Sequence, residues 1–386
     1  MNSEDKSYDV LISGGGPTGL LLGILLSRYG ISNAIIEKQS DINSHSRSIG
    51  IHPPSLKVLK KARVLQDIIN AGVIIKQGHA MTDIRNKLGT IPFDLLRDHY
   101  PFILTVPQNY TEHILQQAVH REEHAELIHP AEVVSFTQDE NEVAITVRQR
   151  DNEMSLSGSF LVACDGKNSL IREKTGISSQ ANTYPYSYVM GDFTDETLLG
   201  DDAVIFVTNK GLVESFPLPG NIRRWVVETS DDRSEQNARQ LSEIVQERIG
   251  TAPNPATNSM LSNFGAERLL ASQFRDNRVL LAGDAAHVVS PIGGQGMNLG
   301  WLDAAHLAEA CDAIINGNAP VDATLDHYAL NRKRQAGRAI KRAEFNMALG
   351  HQSKIPGMRN SILKLLLKPP ANRIMVQRFT MAGLDS

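Results

Sequence analysis

The chain has 386 residues, 41% hydrophobic and 21% charged, with a formal net charge of −4, which predicts one large or two interleaved globular domains and no basic field for nucleic acid. No stretch reaches the apolar length of a bilayer span, and the start MNSEDKSYDV is polar and acidic, so a cytoplasmic protein with no integral membrane segment is expected. Cys164 and Cys311 lie too far apart for a CxxC dithiol or a sequence-local thiolate zinc site, so no metal is expected.

In chain order, YDVLIS (8–13) reads as a buried strand stopped by three glycines, and Pro17 to Tyr29 as a helix closed by Gly30. ISNAIIEK then supplies a second buried strand ending in Glu37, and strand, helix and strand within about thirty residues is the unit that builds a parallel sheet. Pro53 and Pro54 open a helical pattern through Asn70, closed by Gly72. The texture then changes, with VIIKQGHAM and LGTIPFDLL flanking the turn RNKLG as antiparallel strands. A helix over Tyr110 to Glu123 precedes AEVVSFTQ, EVAITVRQ and MSLSGSFLVAC, a meander that returns to the first sheet and delivers Asp165 and Gly166. From Tyr184 to Thr229 strands alternate around NKG and PGN turns, residues 233–249 make an amphipathic helix, and TAPNPATN is a loop. RVLLAGD returns to the buried strand type, and the chain beyond Met297 reads as helix. The predicted fold is α/β: a parallel-sheet, Rossmann-like domain (1–72, 102–180 and 277–386) interleaved with a mainly antiparallel sheet domain (73–101 and 181–276), with C-terminal helices.

Chemistry enters with Gly14, Gly16 and Gly19, a G-x-G-x-x-G between strand and helix. The first glycine allows a tight turn, the second lets a pyrophosphate approach the backbone, the third lets helix meet sheet, and the helix N-terminus offers unpaired N–H groups. Glu37, eighteen residues past Gly19, suits ribose hydroxyls and repels a 2′-phosphate, which favours FAD or NAD as the ligand held there. The alternative is a glycine-rich turn beside an ordinary glutamate. A second bare stretch is LAGDAAHVVSPIGGQGMN (281–298): Gly293, Gly294 and Gly296 strip side chains from a loop leading into a helix, so a large flat ligand fits against that backbone. Asp284, at the preceding strand end, suits a polyol hydroxyl.

The combination of SGGGPTGL, VACDGKNSLIR and LLAGDAAHVVSPIGGQGMNLG, in this order at spacings of about 150 and 120 residues, resembles the single-component FAD-dependent aromatic hydroxylases, the para-hydroxybenzoate hydroxylase-like flavoprotein monooxygenases. The resemblance implies that Gly14, Gly16, Pro17, Thr18, Gly19, Glu37 and Lys38 serve the ADP half of FAD. It assigns cofactor contacts to Arg47 in SHSRSIG and Gln108 in VPQNY, service of FAD and NAD(P)H to Asp165, and the ribityl chain to Asp284. Pro291 would lie beside the reactive flavin edge, with Gly294, Gly296, Met297 and Asn298 lining the ring system. The activity implied is reduction of FAD by NAD(P)H, reaction of the reduced flavin with O2 to a C4a-hydroperoxide, and oxygen transfer to an aromatic or polycyclic small molecule, by a monomer or homodimer. The chain departs from the family pattern at Asn168, where a basic residue is usual, at Pro54, where an arginine is frequent, and at Ser290, which replaces the first of two prolines. The resemblance includes no C-terminal thioredoxin-like domain.

For substrate, Tyr184, Tyr186 and Tyr188 alternate and so share one strand face, and Phe206 and Phe216 join Tyr186 as candidates, with His79 and Arg224 behind them; packing is the plainer reading of each. His287 invites a general-base role, against a structural one. The basic run NRKRQAGRAIKR fits a solvated helix face, and KIPGMRNSILKLLLKPP fits a helix packed on its own domain, with a membrane surface or partner as the alternative. A flavin dehydrogenase or reductase, or a flavin-binding protein without turnover, stands as the competing class.

Overall fold

The computed structural model describes residues 6–41, 48–229, 236–290, 292–350 and 355–385. β1 (Lys6–Ser13), α1 (Pro17–Arg28) and β2 (Asn33–Ile36) realise the expected strand, helix and strand. Val10, Leu11, Ile12 and all of β2 are buried, as strands of a parallel sheet covered on both faces must be. β3 (Gly50–Ile51) leads into two helices, α2 (Pro53–Lys61) and α3 (Leu65–Asn70), in place of the single helix expected to Asn70. The break falls at Arg63, which takes a left-handed φ of 56° and so turns Val64 into the core.

β4 (Val73–Ile75) also departs from expectation: it leaves the antiparallel pair formed by β5 (Gln77–Asp83) and β6 (Asn86–Pro92) and joins β3 and β7 (Ile103–Thr105) in a small sheet. α4 (Gln108–Val119) is followed by a strand absent from the sequence reading, β8 (Ala125–Ile128), parallel to β2. β9 (Glu132–Gln138), β10 (Val143–Gln149) and β11 (Asn152–Ala163) form the meander, and β11 runs parallel to β1. The short helix α5 (Leu170–Lys174) closes this part.

β12 (Ser179–Thr194), β13 (Ala203–Thr208), β14 (Gly211–Leu218), β15 (Ile222–Thr229), α6 (Ala238–Ile249) and β16 (Met260–Ala271) build most of the second sheet. β17 (Arg275–Asp276) and β18 (Val279–Leu281) return to the first sheet, whose order is β17-β18-β11-β1-β2-β8 with β10 and β9 continuing from β11. β19 (His287–Val288) ends the second sheet, ordered β19-β16-β12-β15-β14-β13-β5-β6. Four helices follow: α7 (Gln295–Ile315), α8 (Val321–Gly350), α9 (Pro356–Leu366) and α10 (Ala371–Phe379). None of the described helices is long and apolar enough to cross a membrane.

The period of two gives the second sheet distinct faces. Val189, Phe193, Val204, Phe206, Val213, Trp225 and Val227 point to one side and pack with Leu241, Val245 and Ile249 of α6. Tyr188, Met190, Leu212 and Val226 point to the other, where they cluster with Ile292 of the glycine loop and Met347 of α8. That second face is the one turned toward the first sheet's motifs. The basic run on α8 is mostly a solvated face, but Arg332 turns inward and is fully buried.

Candidate functional site

The three motifs converge because their strands are neighbours. Gly14 follows β1, Asp165 follows β11 and Asp284 follows β18, and these strands lie side by side and parallel, so all three residues sit at carboxyl ends of one sheet, where open α/β sheets bind ligands. The links are short: Cys164 donates its N–H to the Ser13 carbonyl at 2.7 Å, and Ala282 to that of Ala163 at 3.0 Å. Gly14 has a φ of 106°, and a Cβ there would fall 2.3 Å from the Cys164 carbonyl oxygen. A Cβ at Gly19 would fall 2.0 Å from the Gly14 oxygen, which explains the close helix–sheet approach. Gly16, at the N-cap of α1, differs: a Cβ there would meet nothing within 4 Å, so the backbone faces open space.

Glu37 is held in place by its surroundings. Its Oε2 accepts the Gly15 N–H at 2.7 Å and its Oε1 the Gln39 N–H at 2.7 Å, leaving each oxygen a further lone pair. Gln108 starts α4, accepts the Ser48 N–H at 3.3 Å and donates to Glu112 at 2.7 Å. Burial, opposed by that bond and reinforced by the charge of Glu37, raises the Glu112 pKa. Lys38 is exposed, and Arg47 and Pro291 lie outside the described residues. Asp165 is half-buried with its Oδ1 unpaired, and burial raises its pKa against hydrogen bonds from Ser169 and backbone N–H groups. Asp284 lies exposed on a short helical turn, Gly283–Ala285.

The turn carrying Asp284 is fixed from beneath by a residue the sequence reading missed. Asp303 of α7, fully buried, accepts the Gly283 N–H at 3.0 Å, bonds His287 Nε2 at 2.5 Å and pairs with Arg332 Nε at 2.8 Å. Burial alone would raise the Asp303 pKa, but His287 and Arg332 carry it below the ordinary value. His287 has no exposed surface and spends its Nε2 on Asp303, so its place is structural. Thr18 wedges under the same turn, since Cβ atoms at Gly283 or Gly300 would approach its hydroxyl to 2.8 and 2.4 Å, and Trp301 Nε1 donates to the Pro17 carbonyl at 3.0 Å. These contacts lock α7 against the first glycine motif.

The glycine loop enters α7 at Gln295, two residues earlier than expected, through left-handed Gly293 and Gly294 with φ of 89° and 62°. Asn298 staples it: its amide donates to the Gly50 and Gly294 carbonyls at 2.8 Å each and its Oδ1 accepts the His52 N–H at 2.8 Å. His52 bonds the Gly293 carbonyl at 3.0 Å, and burial lowers its pKa to about 4 despite that bond, so the ring is neutral at physiological pH. Gly296 and Met297 follow in the first turn, half-buried. Of the substrate candidates, Tyr186 lies on the sheet face that meets Ile292, while Phe216 shares that face but packs with Phe345 and Leu349 of α8. Phe206 corrects the sequence reading: it points to the opposite face and stacks on Trp225, at 6.4 Å between ring centroids, beneath α6. Arg224 pairs with Asp192 at 2.6 and 2.8 Å, and His79 lies between Thr90 and Asp202.

A family described as FAD binding domain matches residues 7–343. The chain belongs to this family, that of the FAD-dependent aromatic hydroxylases. It is 29% identical over 374 residues to the uncharacterized aromatic compound monooxygenase YhjG of Bacillus subtilis, covering 95% of this chain and 74% of that one. It is likewise 29% identical over 336 residues to a para-nitrophenol 4-monooxygenase of a Pseudomonas species, covering 84% and 82%. The anhydrotetracycline hydroxylase OxyS of Streptomyces rimosus superposes with a TM-score of 0.80 at 27% identity, over 97% of this chain and 76% of that one. The fold of a Pseudomonas putida p-nitrophenol 4-monooxygenase matches with a TM-score of 0.89 at 23% identity, over 98% and 99%. A hydroxylase of this family needs bare backbone in front of a helix N-terminus for its cofactor's phosphates, and the open space at Gly16 meets that need.

Proposed function

We propose that this FAD-dependent hydroxylase takes electrons from NAD(P)H and inserts one atom of O2 into an aromatic or polycyclic small molecule held between the glycine loop and the Tyr188 face of the second sheet. The observation that carries the reading is the convergence of Gly14, Asp165 and Asp284 at three neighbouring strand ends, beside a glycine loop that packs on that largely apolar face. The relatives named above act on a nitrophenol and on an anhydrotetracycline, and the aromatic class they share is the one assigned to this chain.

FAD, when bound, supplies the redox and oxygen chemistry. The chain's part is to hold, orient and shield. Backbone N–H groups after Gly14, at Gly16, Thr18 and Gly19, receive the phosphates, with Pro17 setting the first turn of the helix; Glu37 has lone pairs for ribose hydroxyls, with Lys38 and Gln108 at the edges. Asp284 takes the polyol chain on a turn fixed by Asp303. Gly294, Gly296, Met297 and Asn298 line the ring system, and neutral His52 supports the loop without adding charge. Asp165, with its Oδ1 unpaired, would serve FAD and NAD(P)H. The same reading divides the chain into the FAD domain (1–72, 102–180, 277–386) and the substrate domain (73–101, 181–276). The first test is anaerobic mixing of the FAD-loaded protein with NADPH and with NADH, with and without phenolic ligands, followed by oxygen-dependent product analysis. Ligand-accelerated bleaching of the flavin and an oxygen-dependent product are expected. A product formed equally without oxygen points to a dehydrogenase, and no reduction by either nucleotide ends the self-sufficient hydroxylase reading.

A further inference from the structure

Buried polar groups without partners gather where the glycine loop meets the second sheet. The Tyr188 hydroxyl, the Ser290 hydroxyl and the amide atoms of Gln295 and Asn346 are all buried and make no hydrogen bond among the described residues. A Cβ at Gly293 would lie 3.5 Å from the Asn346 amide nitrogen and 3.7 Å from that of Gln295, which puts two of these side chains at the loop itself. Glu214 joins them from the sheet. It is 5% exposed and has neither a hydrogen bond nor an ion pair among the described residues.

Register fixes where Glu214 points. It lies opposite Ile205 on β13 and opposite Val226 on β15, and directly opposed residues of an antiparallel pair share a face. Ile205 and Val226 belong with Tyr188 and Ile292, so Glu214 stands in the middle of the face that meets the glycine loop. Glu228, opposite Tyr188, adds a second carboxyl at the end of that face, where its Oε2 accepts the Leu212 N–H at 3.4 Å and Arg248 lies beside it. Positive charge is committed elsewhere: Arg224 pairs with Asp192, and Arg268 at the rim pairs with Glu344 at 2.5 Å. A face with two carboxyls, a phenol and two amides, and with its arginines already facing carboxylates, offers hydrogen bonds to a neutral polar group of a ligand and no free cation to an anion.

Resting on the functional reading above, we propose that Glu214 and Tyr188 are the anchor that selects the substrate: an uncharged aromatic or polycyclic molecule presenting a hydrogen-bond donor, with aromatic carboxylates excluded. A site built to pair a polar group discriminates strongly against ligands that leave it unpaired.

The test uses the FAD-loaded enzyme and two isosteric pairs, 4-hydroxybenzamide with 4-hydroxybenzoate and 6-hydroxy-2-naphthamide with 6-hydroxy-2-naphthoate. Binding is read from the perturbation of the flavin spectrum. The wild type is expected to bind each amide at least about 10-fold more tightly than its carboxylate partner. The ratio in the wild type should rise further between pH 6.5 and pH 8.5 as the Glu214 carboxyl ionises, a rise that Glu214→Gln should abolish, and Tyr188→Phe, which removes one hydroxyl, should weaken the amides about 3- to 10-fold. Glu214→Leu should lose amide binding while raising the unfolding temperature, the reverse of what a residue supporting the fold would do. Equal or preferred binding of the carboxylates, or a rise with pH that persists in Glu214→Gln, overturns the anchor and leaves the hydroxylase reading standing. No response to any of the four compounds overturns the placement of substrate at this face, and the anchor with it.

Discussion

Gly14 and Gly16 look alike in the sequence and do different work. Gly14 sits at positive φ against the Cys164 carbonyl, so an added methyl has nowhere to go. Gly16 faces open space, so the same methyl is harmless until a phosphate approaches. Gly14→Ala is therefore expected to cost several kcal/mol of stability or prevent folding, by backbone strain and overlap (roughly 2–4 kcal/mol). Gly16→Ala should fold as the wild type does and lose at least about 10-fold in FAD affinity, about 1.4 kcal/mol. Thermal unfolding of the apoproteins with FAD titration separates them; equal behaviour of the two variants would sink the assignment. Glu214 gives a pH prediction. Burial pushes its pKa from 4.5 up to about 8, so between those values the native state keeps a proton that the unfolded chain has released. Its contribution is fully present below about pH 4.5 and is lost as pH rises through 8. Relative to Glu214→Gln, the wild type should lose roughly 2–3 kcal/mol between pH 6 and pH 8 in urea unfolding, with Glu228, Tyr188, Tyr186 and Arg248 as the titratable groups around the site. Parallel curves would contradict it. Glu214 was legible in principle: in GLVESFPL the alternation places leucine, glutamate and phenylalanine on one face, and a charge amid apolar neighbours marks an exception. Phe206 was not, because period two gives two faces without saying which one meets the cofactor.

At the scale of elements, the site rests on α7 and α8 as much as on the glycine loops. α7 carries Asp303 in an apolar run, WLDAAHLA, and α8 returns Arg332 to meet it. The pair and His287 are wholly buried, so the Asp284 turn is tied to two long helices through one carboxylate. Asp303→Asn keeps the shape and removes the charge, leaving Arg332 without its counterion. The expected loss is about 3–5 kcal/mol in denaturant unfolding, the cost of a buried charge left unpaired. The sign with pH follows from the depressed Asp303 pKa: its contribution is present above the ordinary value of 3.8 and disappears as pH falls below it. Wild type and variant should thus converge in stability as the solution is acidified toward pH 3, and FAD affinity of the variant should fall at neutral pH as the turn loosens. An Asp303→Asn protein as stable as the wild type at pH 7 would show the network to be dispensable. An acid in an apolar helix and an arginine some thirty residues later are visible in sequence, but their pairing depends on how two helices cross, which no local pattern states.

Across the whole molecule, the first sheet and its three motifs could be read from local signals, since buried strands ending in Gly14, Glu37, Asp165 and Asp284 each announce themselves. The short strand β8, the break at Arg63 and the diversion of β4 could not, because tertiary pairing decides them. Neither large sheet comes from one continuous segment: the first draws on residues 6–36, 125–163 and 275–281, the second on 77–92, 179–271 and 287–288. The chain thus crosses repeatedly between them, and the Tyr188 face packs directly on the glycine loop. Such interleaving predicts one cooperative unit. Its two tryptophans report on the two halves: Trp225 is buried under α6 in the second sheet, and Trp301 on α7 donates to the Pro17 carbonyl beside the first. In Trp301→Phe the remaining fluorescence follows the second sheet, and in Trp225→Phe it follows the first. Each variant's fluorescence transition in urea should coincide with its own circular dichroism transition, and FAD at about 100 times its Kd should stabilise both variants by about 2.7 kcal/mol. Separated transitions, with FAD protecting only the half that contains Trp301, would mean that the sheets unfold independently and that the substrate face is not held in register by the cofactor.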